Sequence, residues 1–171
     1  MLFTLDQIRA LALEHYRLDV SVQPLPGEID LNFKVSTADG AVFTLKIANP
    51  AEQRAILDMQ NALMRHLQQH AGSLEIPRVV LSVRGEDIVG IEAPDGSSRF
   101  LRLLTWIEGR CFAEVSPHSP ALLQRVGAMC GQLSRALAGF EHPAAHRFIK
   151  WDAAQAAWTR DHLDKVADPG K

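Results

Sequence analysis

Hydrophobic positions in the first half of the chain switch between helical and extended spacing. Thr4 with Gln7 forms a capping-box pattern, and apolar residues then recur at helical spacing to about Tyr16. Asp39-Gly40 separates two extended apolar runs, which predicts a tight hairpin turn. The same reasoning predicts strands at 19–25, 29–37, 41–47, 78–83, 86–92 and 99–107, and a long amphipathic helix at about 51–70.

The pattern in the last third of the chain is helical throughout. Ser119-Pro120 is typical of a helix start, because serine caps the first turn and proline fits its first position. Helices are predicted at about 120–138 and 152–167. The order of elements predicts an α+β fold, with an antiparallel sheet and its helix in residues 1–108 and the start of a helical part in residues 109–171.

Composition narrows the class of protein. The 171 residues, of which 47% are hydrophobic, suffice for one domain, or one lobe and part of another, with a buried core. A net charge of −2 argues against nucleic acid as the main partner. No apolar run approaches the ~20 residues of a membrane span, so we expect no membrane partner. The N-terminus lacks a basic signal-peptide start, and Cys111 and Cys130 have neither metal nor redox spacing, which predicts a cytoplasmic protein.

Lys46 is the most informative candidate residue, because it lies between Leu45 and Ile47 on an otherwise apolar strand. An ammonium group there loses solvation unless an anion or a hydrogen-bond acceptor meets it. Phosphate is the natural candidate. The alternative is a structural lysine at a sheet edge, whose stem packs on apolar surface while its amine reaches water.

Several segments around this lysine form an ordered set. They are Gly27–Phe33, Leu45–Ile47, Met59–Asn61, Leu103–Gly109 and Trp151-Asp152. In order and spacing they resemble the aminoglycoside phosphotransferase family and, within it, the hydroxylysine-kinase-like branch. The resemblance implies a protein-kinase-like N-lobe of five antiparallel strands and one packed helix, followed by helices of an incomplete C-lobe. It also implies ATP- or GTP-dependent phosphorylation of a hydroxylated small molecule, such as hydroxylysine or an amino alcohol.

The resemblance assigns five residues to the phosphate side of a nucleotide site. Lys46 matches the strand lysine that holds the α- and β-phosphates. Gln60 matches the helix residue that orients this lysine, which is usually glutamate, and its amide would accept a hydrogen bond from the ammonium. Gly27, Asp30 and Asn32 match the loop over the phosphates.

Two further residues match the linker between the lobes, where backbone groups bind the purine. The carbonyl of Thr105 and the amide of Ile107 would form this pair. The family also carries a His-Gly-Asp catalytic loop with a downstream asparagine and an acidic Mg²⁺ ligand, but this sequence has no His-x-Asp followed at short range by Asn. We therefore expect no catalytic residue and no metal ligand in this chain, Mg²⁺ ligands in a missing C-terminal part, and no phosphate transfer by the chain alone.

The same resemblance implies the partners of the protein. They are a nucleotide and, in the full-length protein, a small-molecule acceptor. The helices from residue 120 onward would normally pack on missing helices, so exposed apolar surface favours self-association. In bacteria, similar modules are fused to class III aminotransferases, so the resemblance also implies a fusion with an aminotransferase module. Two alternatives to a kinase remain open, a non-catalytic nucleotide-binding remnant and a protein-interaction module that uses these helices.

Overall fold

The structure is a computed structural model that describes residues 2–149 and 152–165. Its α-helices are α1 (Leu5–Tyr16), α2 (Arg54–His70) and α3 (Pro120–Ala136). Its strands are β1 (Val20–Leu25), β2 (Leu31–Thr37), β3 (Val42–Ile47), β4 (Val79–Val80), β5 (Val89–Glu92) and β6 (Ser98–Thr105). Short 3₁₀ turns at Phe112–Glu114 and Pro143–Ala145 and a 3₁₀ helix at Ala153–Lys165 complete the described elements.

All six strands belong to one antiparallel sheet, in the order β1-β2-β3-β6-β4, with β5 also paired to β6. The β2–β3 hairpin closes as the sequence predicts, and Gly40 takes the positive φ of 90° that its turn requires. This hairpin fixes the register that places Asn32 opposite Lys46. On the other side of β3, Lys46 lies opposite Arg102 of β6.

One face of the sheet forms the main core with α1. Side chains alternate between faces along a strand, so every second residue of β2, β3 and β6 points to α1. These core residues are Phe33, Val35, Leu45, Ile47, Leu101 and Leu103, packed with Ile8, Ala12 and Tyr16 of α1. The capping box predicted at Thr4 starts α1, with both of its reciprocal hydrogen bonds formed.

The opposite face carries α2 and the polar residues of the same strands. Leu57 of α2 packs against Ala48 and Phe100. Asn32, Lys46 and Arg102 share this face because they are the alternate residues of β2, β3 and β6. Helix α2 contacts this row through the side-chain amides of Gln60 and Asn61, which accept hydrogen bonds from Arg102.

The C-terminal end of α3 packs on α2. Ala136 is buried against Leu67 and Ala71, and the His66 Nε2 lies 2.8 Å from the Ala136 carbonyl oxygen. Ser119 caps the start of α3 as predicted, accepting from the Leu122 N–H at 3.2 Å. The remainder of the helix is largely exposed.

Residues 141–149 and 152–165 belong to a second compact unit. Within it, the Gln155 side chain accepts from the Ile149 N–H at 3.2 Å, and Asp152 accepts from the Ala154 N–H at 2.9 Å, which starts the 3₁₀ helix. Trp151, which contributes to the sequence resemblance, lies outside the described residues. The boundary at residue 108 between a nucleotide-binding lobe and a helical part stays a prediction.

The predicted fold class is confirmed as α+β, with an antiparallel sheet and helices. The sheet has six strands where the resemblance implied five, because the two-residue β4 and the four-residue β5 both pair with β6. Helix α2 begins at Arg54, later than residue 51, because Asn49 and Pro50 occupy a turn in which the Asn49 side chain accepts from the Ala51 N–H at 3.0 Å. Among the described residues, no helix is both long enough and apolar enough to cross a membrane.

Candidate functional site

Lys46 reaches out of β3 toward two residues of the preceding hairpin arm and loop. Its Nζ donates to the Asn32 Oδ1 at 2.5 Å and lies 3.8 Å from the Asp30 Oδ2. The side chain is 25% exposed, so the ammonium is neither in bulk water nor sealed in the core. The β2–β3 register brings these groups together, because Asn32 and Lys46 are direct cross-strand partners.

The loop before β2 is folded tightly around this contact. The Asn32 Nδ2 donates to the carbonyls of Pro26 and Asp30, each at 3.4 Å, while the Asp30 Oδ1 accepts from the Asn49 N–H at 3.2 Å. A Cβ on Gly27 would lie 2.3 Å from the Asp30 carbonyl oxygen and 2.6 Å from the Asn32 Nδ2. Glycine is therefore required at this position for the loop to keep its shape.

A cavity of about 240 Å³ opens over the lysine. Lys46 is its one cation and three carboxylates border it, so its net charge is negative. The lining residues are Glu28, Ile29, Asp30, Asn32, Lys46, Asn49 and Glu52. A ligand that brings both an anion for the lysine and a cation for the carboxylates fits this charge pattern better than a bare anion does.

The protonation of Lys46 reflects its surroundings. Burial lowers the pKa of its ammonium, the Asp30 carboxylate opposes that change, and the nearby Arg102 charge adds to it. Lys46 therefore loses its proton at a lower pH than an exposed lysine, and an anion bound to it would favour the charged form.

The resemblance assigns Gln60 to Lys46, but in the structure the Gln60 side chain is hydrogen-bonded to Arg102 instead. Its Oε1 accepts from the Arg102 Nη2 at 2.6 Å, and the neighbouring Asn61 Oδ1 accepts from the Arg102 Nη1 at 2.9 Å. The guanidinium of Arg102 lies between the sheet and α2. Because it is planar and has several donors in a fixed fork, it can donate to both amide oxygens of α2 at once. Lys46 is held from the loop and β2 instead.

The linker after β6 is anchored to the segment before β4. The Thr105 N–H donates to the Arg78 carbonyl and the Thr105 hydroxyl accepts from the Arg78 N–H, both at 2.9 Å. Thr105 and Ile107 border a cavity of about 400 Å³, together with Trp106 and Arg78. This cavity and the one over Lys46 are separate features of the sheet.

The sequence of residues 21–169 matches the phosphotransferase enzyme family. The chain belongs to this family. Hydroxylysine kinase of Danio rerio is 30% identical to it over 142 residues, which cover 81% of this chain and 40% of that protein. Hydroxylysine kinase of Mus musculus is 32% identical over 161 residues, which cover 85% of this chain and 42% of that protein. The chain thus spans less than half the length of these relatives, and the predicted family resemblance is confirmed.

Solved structures of kinases share its fold. An amicoumacin kinase in complex with AMP-PNP, Ca²⁺ and Ami superimposes with a TM-score of 0.70 at 20% identity, covering 87% of this chain and 45% of that one. A microcompartment-associated aminopropanol kinase gives a TM-score of 0.67 at 19% identity, covering 86% and 45%. These likenesses confirm the kinase-like character of the predicted α+β fold.

The seven residues singled out in the sequence fall into three places in the structure. Gly27, Asp30, Asn32 and Lys46 form one connected group around the loop. Gln60 is linked to a different cation, Arg102. Thr105 and Ile107 lie at the end of β6, where Thr105 pairs with Phe43, three residues before Lys46 on β3.

Two charged residues of the same sheet face escaped the sequence analysis. Arg102 interrupts the apolar run of β6 just as Lys46 interrupts that of β3, so the same signal identifies it. Lys34 has its Nζ 4.5 Å from the centroid of the Trp106 ring and 4.0 Å from the Glu108 Oε1. Its contacts depend on how the linker leaves the sheet, which the sequence pattern does not reveal.

The described residues contain no group of three or more histidine, cysteine, aspartate or glutamate side chains placed to hold a metal ion. The carboxylates around Lys46 therefore border the cavity without converging on one point.

Proposed function

We propose that this chain is the nucleotide-binding part of a small-molecule kinase, and that the triphosphate of ATP or GTP binds at Lys46. The observation that carries the proposal is the arrangement of Lys46 itself. A partly buried ammonium is held by Asn32 and Asp30 at the foot of a loop that only glycine at position 27 permits, with a cavity open above it. Phosphate oxygens are the natural acceptors for the remaining donor of such a lysine.

The base would lie toward the linker, with the Thr105 carbonyl and the Ile107 amide as its hydrogen-bonding partners. Support comes from the sheet register, because Thr105 pairs with Phe43 on the strand that carries Lys46. Three residues of a strand span about 10 Å, so the phosphate and base positions are separated by a distance that a nucleoside triphosphate can bridge. Gly27, Asp30 and Asn32 would cover the phosphates, and Gln60 would contribute through Arg102.

The nucleotide would bind as its magnesium complex. Glu28 and Glu52 border the cavity with Asp30, and a free triphosphate would bring further negative charge to these carboxylates. Magnesium cancels two of those charges, and its ligands would belong to the half of the relatives that this chain does not span. The complete protein would transfer phosphate to a hydroxylated small molecule such as hydroxylysine or an amino alcohol, and the chain alone would not.

Thermal-shift titration tests the nucleotide site, because a ligand that binds the folded state raises its stability. We expect Mg·ATP or Mg·GTP at a hundred times its Kd to stabilise the chain by about 2.7 kcal/mol, and free nucleotide with EDTA to stabilise it less. Lys46→Ala should abolish the shift. Arg99→Met, which removes a charge from β6 on the opposite face, is the matched control and should leave it unchanged. No shift at millimolar nucleotide would overturn the proposal and favour an interaction module.

A further inference from the structure

Arg102 is a charged group in the interior of the fold. Only 3% of it is exposed, and its guanidinium donates to two neutral amides, the Gln60 Oε1 at 2.6 Å and the Asn61 Oδ1 at 2.9 Å. Burying a charge beside neutral partners is costly, because amides replace water less well than a carboxylate does. Because the neutral amides do not cancel the positive charge of Arg102, that charge still contributes to the electrostatic potential of its surroundings.

Those surroundings are the candidate phosphate site. Arg102 is the direct cross-strand partner of Lys46. Burial lowers the pKa of Arg102, and this change is opposed by the negative charges of Asp87 and of Asp30 and Glu52, two carboxylates that border the cavity over Lys46. Asp87 is paired with Arg65 at 2.5 Å and does not line this cavity, so Asp30 and Glu52 are the carboxylates through which the Arg102 charge acts on the site.

The contact with Gln60 has a second consequence. The Gln60 amide oxygen accepts from Arg102 at 2.6 Å, whereas Lys46 donates to Asn32. These two cations therefore have different partners. The helix α2 fixes the arginine, and the loop with β2 fixes the lysine.

We propose that Arg102 is a positioning residue of the phosphate site, which holds Gln60 on α2 and supplies a second positive charge beside Lys46 against Asp30 and Glu52. The proposal rests on nucleotide binding at Lys46. Arg102 does not touch the nucleotide, because it is buried beneath α2. It acts by making the potential at the Lys46 cavity less negative, so its effect grows with the number of phosphates on the ligand.

Gln60→Glu gives the sharpest test, because the two interpretations of position 60 predict opposite results. If Arg102 holds residue 60, the new carboxylate pairs with the guanidinium, the thermal midpoint is kept or raised, and the affinity for Mg·ATP falls about tenfold. If residue 60 instead served Lys46, glutamate would strengthen that pair and keep or raise the affinity. Unchanged or tighter binding in Gln60→Glu would overturn the proposal.

Substitution of the arginine tests the charge itself. Arg102→Met should weaken Mg·ATP binding about tenfold, Mg·ADP binding less, and adenosine binding not at all. Arg102→Lys keeps the charge and should restore most of the triphosphate affinity. An equal loss for all three ligands would indicate a purely structural role and overturn the proposal. Should Arg102→Met fail to fold, the Gln60→Glu result still decides.

The outcomes separate this inference from the proposed function. Binding by the unsubstituted chain that Lys46→Ala abolishes, and that Gln60→Glu and Arg102→Met leave intact, would retain the nucleotide site and refute the role of Arg102. Absence of any nucleotide binding by the unsubstituted chain would refute both. Arg99→Met serves again as control, since Arg99 pairs with Asp95 on the other face of the sheet.

Discussion

The Lys46 Nζ lies 2.5 Å from the Asn32 Oδ1, across directly paired positions of β2 and β3. A hydrogen bond between an ammonium and an amide oxygen restrains the lysine in one rotamer and leaves its other donors for Asp30 and for a ligand. Because both residues belong to the sheet, the lysine position depends on strand register rather than on the placement of a helix.

Removal of the Asn32 side chain should therefore loosen Lys46. For Asn32→Ala we expect the free energy of unfolding to fall by about 1 kcal/mol, since a partly exposed charged hydrogen bond is lost, and the Mg·nucleotide affinity to drop several-fold. Urea denaturation and thermal-shift titration measure the two effects. Gln23→Ala, at an exposed position of β1, is the control. Undiminished nucleotide affinity in Asn32→Ala would show that this contact does not orient the lysine.

A methyl group at Gly27 should disrupt the loop over the lysine. The added Cβ would approach the Asp30 carbonyl oxygen to 2.3 Å, which forces the backbone to move. We expect Gly27→Ala to weaken nucleotide binding at least as much as Asn32→Ala and to lower the free energy of unfolding by about 1–3 kcal/mol.

Gly90→Ala is the matched control for that substitution, because a Cβ at Gly90 on β5 would have no heavy atom within 4 Å in the described part of the chain. Its stability should change by no more than about 0.5 kcal/mol. Equal behaviour of the two alanine variants in denaturation and binding would argue against a close approach of the loop backbone at Gly27.

The hairpin geometry could be predicted from the sequence, whereas the partner of Gln60 could not. Asp39-Gly40 fixes the β2–β3 turn, and the register that follows places Asn32 beside Lys46. Periodicity likewise identifies α2 and its apolar stripe. The rotation of α2 over the sheet, however, is set by packing of Leu57 on Ala48 and Phe100, and these contacts join distant parts of the chain.

Arg102 also shows that the sequence can identify an unusual residue without identifying its partner. Its position in an apolar strand is visible in the sequence, but its choice between a carboxylate and the amides of Gln60 and Asn61 depends on the depth at which α2 lies on the sheet. Local pattern therefore predicts which residues are unusual, and tertiary packing decides which of them meet.

The exposed part of α3 leads to a prediction about association. Leu123 and Met129 are 51% and 43% exposed, and a Cβ on Gly127 would meet no heavy atom within 4 Å among the described residues. An uncovered apolar helix face favours self-association. Sedimentation velocity should show concentration-dependent association of the chain, and the double substitution Leu123→Gln/Met129→Gln should shift it toward monomer. Leu13→Gln, at a 52% exposed position of α1, should not. A monomeric parent chain at high concentration would contradict this prediction.

The final prediction concerns pH. Burial lowers the pKa of Lys46 below its ordinary 10.5, with Arg102 adding to the effect and Asp30 opposing it. The folded state therefore prefers the neutral amine more than the unfolded chain does. As pH rises from the folded-state pKa toward 10.5, the contribution of Lys46 to the free energy of unfolding should increase, because the cost of a buried charge is removed.

Nucleotide affinity should change in the opposite direction over the same interval. Phosphate favours the charged lysine, so the bound state has a higher Lys46 pKa than the free state, and affinity falls once pH exceeds the free-state value. Lys46→Arg provides the control, because a guanidinium stays protonated throughout and both trends should flatten. Denaturation and nucleotide titration at a series of alkaline pH values measure the two slopes. If stability and affinity fell together in the parent chain and Lys46→Arg alike, Lys46 would not be the group that titrates at the phosphate site.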